Sequence, residues 1–125
     1  MGKLRDKGTQ LYLWIKDESS ITDLIDTIGS SPAIIVDKKI DEAYQDLKHI
    51  QIYRTSIVTP VQVQPISYTV NCRSSTDYKA DELAQAVYDV INRKLQNGYL
   101  AKCTVNACIY EEENIYNTPI DVVVF

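Results

Sequence analysis

Glycine is scarce in this chain: there are four, Gly2, Gly8, Gly29 and Gly98, and no two stand near each other. A P-loop or a dinucleotide fingerprint needs several glycines within a few residues so that backbone N–H groups can approach phosphates, and neither can be written here. Histidine is scarcer, with His49 alone. A Ser–His–Asp or Cys–His device would have to be built on it, and no nucleophile signature surrounds any Ser or Cys. The cysteines, Cys72, Cys103 and Cys108, are odd in number and form no CxxC pair. That suits small buried thiols in a reducing compartment better than a disulfide framework. On a strand over residues 101–110, Cys103 and Cys108 point to opposite faces, so they can share a metal only across a bulge. The expectation is a protein with no metal site, no cofactor and no enzymatic activity.

Also missing is any apolar run near the roughly 20 residues that span a bilayer, and the start MGKLRDK lacks the apolar stretch of a secretory signal. The expectation is no membrane association and a cytoplasmic site of synthesis. Base is in deficit too, with 13 Lys and Arg against 17 Asp and Glu and a net charge of −4. Nucleic-acid affinity rests on clustered Lys and Arg, so specific DNA or RNA binding is not expected.

What is present is enough apolar content, 45% of 125 residues, for one compact domain over residues 1–125 with a real core. Leu11, Trp14, Ile15, Ile21, Leu24, Ile25 and Ile28 recur at helical spacing, and Asp17-Glu18-Ser19-Ser20 can end one helix and cap the next. Two short helices with a joint near Ser19 are expected, stopped by Gly29 and Pro32. Residues 33–36 read as a short strand and 38–48 as ambiguous. Residues 49–58 alternate as a strand, and Pro60 and Pro65 make the following TPVQVQP an edge extension or a hairpin tip.

Ile66, Tyr68, Val70 and Cys72 alternate with Ser67, Thr69, Asn71 and Arg73, as in a strand with one buried face. After the cap candidates Ser75, Thr76 and Asp77, the residues Leu83, Val87, Val90, Ile91 and Leu95 mark an amphipathic helix of about 18 residues, ended by Asn97-Gly98. Residues 101–110 and 118–125 complete the pattern as strands joined by a polar connection. Hairpin-linked strands pair antiparallel, so the expected fold is α+β: a mostly antiparallel sheet of four to five strands with helices packed on one face.

Nine tyrosines stand against one Phe and one Trp. Tyr joins a large apolar ring to a hydroxyl that wants a partner, which suits protein interfaces. Tyr53, Tyr110 and Tyr116 are therefore interaction candidates. So are the acidic turn Glu111, Glu112 and Glu113, and the Pro-bounded tip residues Thr59, Pro60, Val61, Gln62 and Gln64, because exposed loops carry function. Asp81, Glu82 and Asp89 read as solvated charge on the outer face of the long helix.

The helical stretch LYLWIKDESSITDLIDTIGSSPAII, the Pro-bounded strand IYRTSIVTPVQVQP, the strand-to-helix unit YTVNCRSSTDYKADELAQAVYDVIN and the last strand NTPIDVVVF cover nearly the whole chain. In that order they resemble the tail terminator (tail completion) proteins of tailed bacteriophages. The resemblance implies a structural protein of the virion's head–tail junction. It implies a homo-hexameric ring that caps the tail tube, meets a head-completion protein on its other face and lets DNA pass through. Two other readings use the same element types: a different phage neck component, such as a head-completion or adaptor protein, and a cytoplasmic ferredoxin-like ligand-binding regulatory module.

Overall fold

A computed structural model describes residues 2–55 and 65–125, with side chains from residue 8 onward. The order opens with helix α1 (Gly2–Ile15), the single turn α2 (Ser19–Thr22) and a small hairpin of β1 (Thr27–Ile28) and β2 (Ser31–Pro32). Then come β3 (Ile34–Val36), a 3-10 turn (Glu42–Tyr44), β4 (His49–Arg54), β5 (Ile66–Ser74) and α3 (Asp77–Ile91). Four strands finish the chain: β6 (Leu95–Gln96), β7 (Tyr99–Val105), β8 (Ile109–Glu112) and β9 (Ile115–Val124).

Strand exceeds helix, 41% against 28%, and the main sheet is a curled, mixed one of seven strands. Its order is β3-β4-β5-β9-β7-β6, with β8 also on β9. This overturns the expected four- to five-stranded antiparallel sheet with helices on one face. The β3–β4 pair is parallel, because the 12-residue segment between them, 37–48, is long enough for a crossover. That crossover lies over the face away from α1 and α3: Gln51 Nε2 donates to the carbonyls of Asp37 and Lys38, and the Tyr44 ring meets His49 edge-on. The helical turns are therefore not confined to one side.

The additional strands come from turn chemistry. Residues 24–28, expected as helix, instead lead into the β1–β2 hairpin, where Gly29 takes φ +63°. Asn97 and Gly98 both have positive φ and close a hairpin between β6 and β7 rather than capping a helix. Consequently α3 stops at Ile91, and Leu95 is exposed instead of joining the core. The polar connection 111–117 proves to be a second hairpin, turning at Asn114 with φ 64° and joining β8 to β9.

The core follows the expected periodicities where they were strongest. On α3, Ala80, Leu83, Ala84, Val87 and Ile91 are buried, and Thr76 Oγ1 caps its start by accepting from the Lys79 N–H. Beneath lie Ile50 and Ile52 of β4, Tyr68, Val70 and Cys72 of β5, and Ile120, Val122 and Val124 of β9. Leu11 and Ile15 of α1 complete this cluster. Gly8 lets α1 approach Tyr68, since a Cβ there would stand 3.2 Å from the Tyr68 ring. Asp81 is exposed, in line with the expectation of solvated charge, and it also accepts a 2.7 Å hydrogen bond from Thr118 Oγ1 that ties α3 to β9. Among the described residues, no helix is long and apolar enough to cross a membrane.

Candidate interaction hairpin

Two features meet at one corner of the sheet, an open strand edge and a buried polar network that anchors it. β7 and β8 run in succession along the same side of β9, at residues 120–124 and 115–117 respectively. The outer side of β7 is covered as far as Cys103 by the chain after α3. Arg93 N donates to Ala101 O, Ala101 N donates to Lys94 O, and Cys103 N donates to Asn92 Oδ1. From Val105 to Glu112 no described strand lies alongside. This edge carries apolar side chains in water: Val105 is 39% exposed, Ile109 49% and Tyr110 62%. An unpaired edge with bare apolar side chains is a template for another strand.

Of the sequence candidates, the structure brings Tyr110, Glu111, Glu112, Glu113 and Tyr116 together on this hairpin. Tyr110 and Tyr116 are cross-strand partners whose ring centroids lie 5.3 Å apart, a contact that stiffens the hairpin. Tyr53 is elsewhere, half-buried near the end of β4 and level with Asp121. Thr59, Pro60, Val61, Gln62 and Gln64 lie outside the described residues. Glu111 is not part of a free acidic tip, because its carboxylate accepts from Arg73 Nε at 2.6 Å and from Arg73 Nη2 at 3.3 Å. Glu112 and Glu113 remain exposed.

Sequence reasoning missed what lies behind Glu111. The polar residues of β4, β5 and β9 that alternate with the core are themselves buried: His49, Gln51, Asn71, Arg73 and Asn117 are each less than 9% exposed. They form one connected network. Gln51 Oε1 accepts from Arg73 Nη1 at 2.8 Å and from Asn71 Nδ2 at 3.0 Å. Asn117 Nδ2 in turn donates to Asn71 Oδ1 at 3.0 Å and to Glu111 Oε2 at 3.3 Å. Asn117 Oδ1 is buried without a partner among the described residues, but the other contacts hold one geometry, because each group displaced from them would lose its partner in a low dielectric. Here the result is a β8–β9 hairpin fixed to the centre of the sheet.

His49 closes the network at its other end. Its Nδ1 lies 2.8 Å from Leu47 O and its Nε2 lies 3.3 Å from Arg73 Nη1. Leu47 O can only accept and the guanidinium can only donate, so the ring is neutral, with the proton on Nδ1. Burial lowers the His49 pKa below its ordinary value of 6.5, and the Arg73 charge adds to this. The Leu47 hydrogen bond and the carboxylates of Glu111 and Asp26 oppose it. In the window between the depressed folded value and 6.5, the unfolded chain binds a proton that the folded one does not, so stability falls as the pH drops through it. His49→Gln is expected to flatten this slope in urea titrations across the window; equal slopes in the two proteins would show that His49 titrates normally.

The thiols offer little chemistry. Burial pushes Cys72 upward and raises Cys103 to about 12, which leaves both protonated and weakly nucleophilic near neutrality. Among the described residues, no three His, Cys, Asp or Glu side chains converge where they could hold a metal. The arrangement lends itself to presenting a rigid strand edge. No protein-family model, curated protein or solved structure matches the chain, so the chemistry of this hairpin is what a functional reading has to rest on.

Proposed function

We propose that this chain is a structural subunit of a phage head–tail junction, a tail terminator that assembles with copies of itself into a ring on the tail tube and joins it to the head. The observation that carries the reading is the open edge from Val105 to Glu112, apolar in its side chains and held rigid by the Arg73–Glu111 pair. A monomer that leaves such an edge bare is exposed to uncontrolled strand pairing, whereas a subunit of an assembly uses the edge. The net charge of −4 supports the same reading, since a neutral or acidic lumen does not hold the phosphates of DNA passing through. In the ring, the tail-tube protein meets one face and a head-completion protein the other.

Gold-labelled antibody against the chain is expected to mark the junction of head and tail on purified particles. Intact particles without label, with the protein free in the lysate, would overturn the proposal. At the hairpin, Glu112→Gln with Glu113→Gln is expected to leave the melting temperature unchanged, because both side chains are exposed, and to weaken assembly on the tail tube. Unaltered assembly in that variant would remove the acidic tip from the contact.

A further inference from the structure

Among the described residues the sheet has two open edges, and they match. β3 ends the strand order on one side, and the segment from Val105 onward is uncovered on the other. The register joins them in one row: Val36 pairs with Ile52, Ile52 with Val70, Val70 with Ile120, and Ile120 with Val105. Directly paired residues share a face of a sheet. One apolar row therefore crosses the molecule, buried at Ile52, Val70 and Ile120, while its two ends are bare, Val36 at 47% and Val105 at 39% exposure.

Backbone direction agrees at both ends. Ile50 N donates to Ala33 O, so the Ala33 carbonyl and, two residues on, the peptide groups of Ile35 turn toward β4, while the Ala33 N–H goes to Asp26 O; alternation turns the groups of Ile34 and Val36 outward. On the other edge, Ala101 and Cys103 bond away from β9 and Asn106 N bonds toward it, to Pro119 O. By the same alternation Val105 presents its N–H and C=O outward. Strand sense agrees as well: β3 runs with β4, each later pair in the path to β7 is antiparallel, and so β3 and β7 run in opposite directions. Two copies in the same orientation would meet antiparallel, each supplying a residue whose free backbone groups face the other.

We propose that copies of this chain join edge to edge, with Val36 of one pairing antiparallel against Val105 of the next and continuing the apolar row from subunit to subunit. The contact is heterologous, joining two different surfaces, and a heterologous contact generates a ring where its rotation closes and a filament where it does not. It is short, since Asp37 Oδ1 accepts from the Lys39 N–H and turns the chain away just after Val36. This inference rests on the self-assembly reading above and names its contact.

Directly hydrogen-bonded antiparallel partners have Cα atoms about 5.5 Å apart, within the roughly 4.4 to 6.8 Å that a disulfide bridges. The test uses Val36→Cys and Val105→Cys in full-length protein carrying Cys103→Ser and Cys108→Ser, oxidised at concentrations where native mass spectrometry reads the oligomer, both free and on tail tubes. The double variant is expected to give a disulfide ladder on non-reducing gels that ends at the ring size. A mixture of the two single variants should give dimers only, and neither alone should cross-link. Val105→Lys without added cysteines should abolish the oligomer at an unchanged melting temperature. Oligomers that form without the Val36–Val105 link, or in which Val105→Cys links to itself, would overturn the edge pairing and leave self-assembly standing. A monomer under every condition would overturn both.

Discussion

Replacing Arg73 by Met is expected to cost about 2 to 4 kcal/mol of folding stability, between the loss of hydrogen bonds to charged groups and the breaking of a fully buried ion pair. Arg73 is 8% exposed, and its guanidinium serves Glu111, Gln51 and His49 at once. Methionine fills part of the volume and supplies no donor. Glu111 would lose its cation while still donated to by Asn117, and Gln51 Oε1 would keep only the Asn71 amide. Glu111 keeps 30% of its side chain in water and can be rehydrated, which places the cost toward the lower end. Glu111→Gln should cost less, about 1 to 2 kcal/mol, because a hydrogen bond to a charged group weakens while the shape is kept. Urea unfolding measures both; a loss below about 1 kcal/mol for Arg73→Met would mean that the network does not hold the hairpin. The sequence groups Glu111, Glu112 and Glu113 as one acidic turn open to a partner, whereas in the structure the Glu111 carboxylate is already engaged by Arg73. Neutralising the last two probes assembly, whereas neutralising the first also loosens the fold.

Val87→Asp is expected to be the most damaging single change on α3, at about 4 kcal/mol or more. A carboxylate would stand unpaired in a core that excludes water, or would have to take up a proton to remain there. Val87 is fully buried, with Leu83, Ala84 and Ile91 along the same stripe. Val90 packs against the edge of the cluster and is only partly buried. Val90→Asp should therefore cost distinctly less, because its charge can reach solvent. Comparable losses at the two positions, measured by thermal or urea unfolding, would mean that the helix is rotated from the orientation described.

Some elements were legible because their signal is local and repeated. The stripe on α3 and the alternation of Ile66, Tyr68, Val70 and Cys72 each follow from one period and one buried face, and these residues are in the core. The joint between α1 and α2 at Ser19 was marked by a polar break. Where a residue type fits two kinds of turn, the sequence was ambiguous. Asn97-Gly98 satisfies a helix end and a tight hairpin equally, since both need positive φ, and only the pairing of Leu95 with Leu100 decides between them.

The polar network shows the deeper limit. In β4, β5 and β9 the residues His49, Gln51, Asn71, Arg73 and Asn117 alternate with apolar ones, and alternation alone reads them as a solvent face. A signal was present in their type. They are amides, an imidazole and a guanidinium, groups with fixed donor and acceptor geometry, whereas Lys and Glu prefer water. Composition and period thus determined that α1, α3, β4, β5 and β9 form and which side of α3 and β5 is apolar, because those properties depend on neighbours in the chain. The tertiary structure alone decided the parallel β3–β4 pair, the burial of the polar face and the open edge beyond Cys103. Each depends on which strands lie side by side and on whose backbone groups find partners, and that is set by contacts between residues far apart in the sequence.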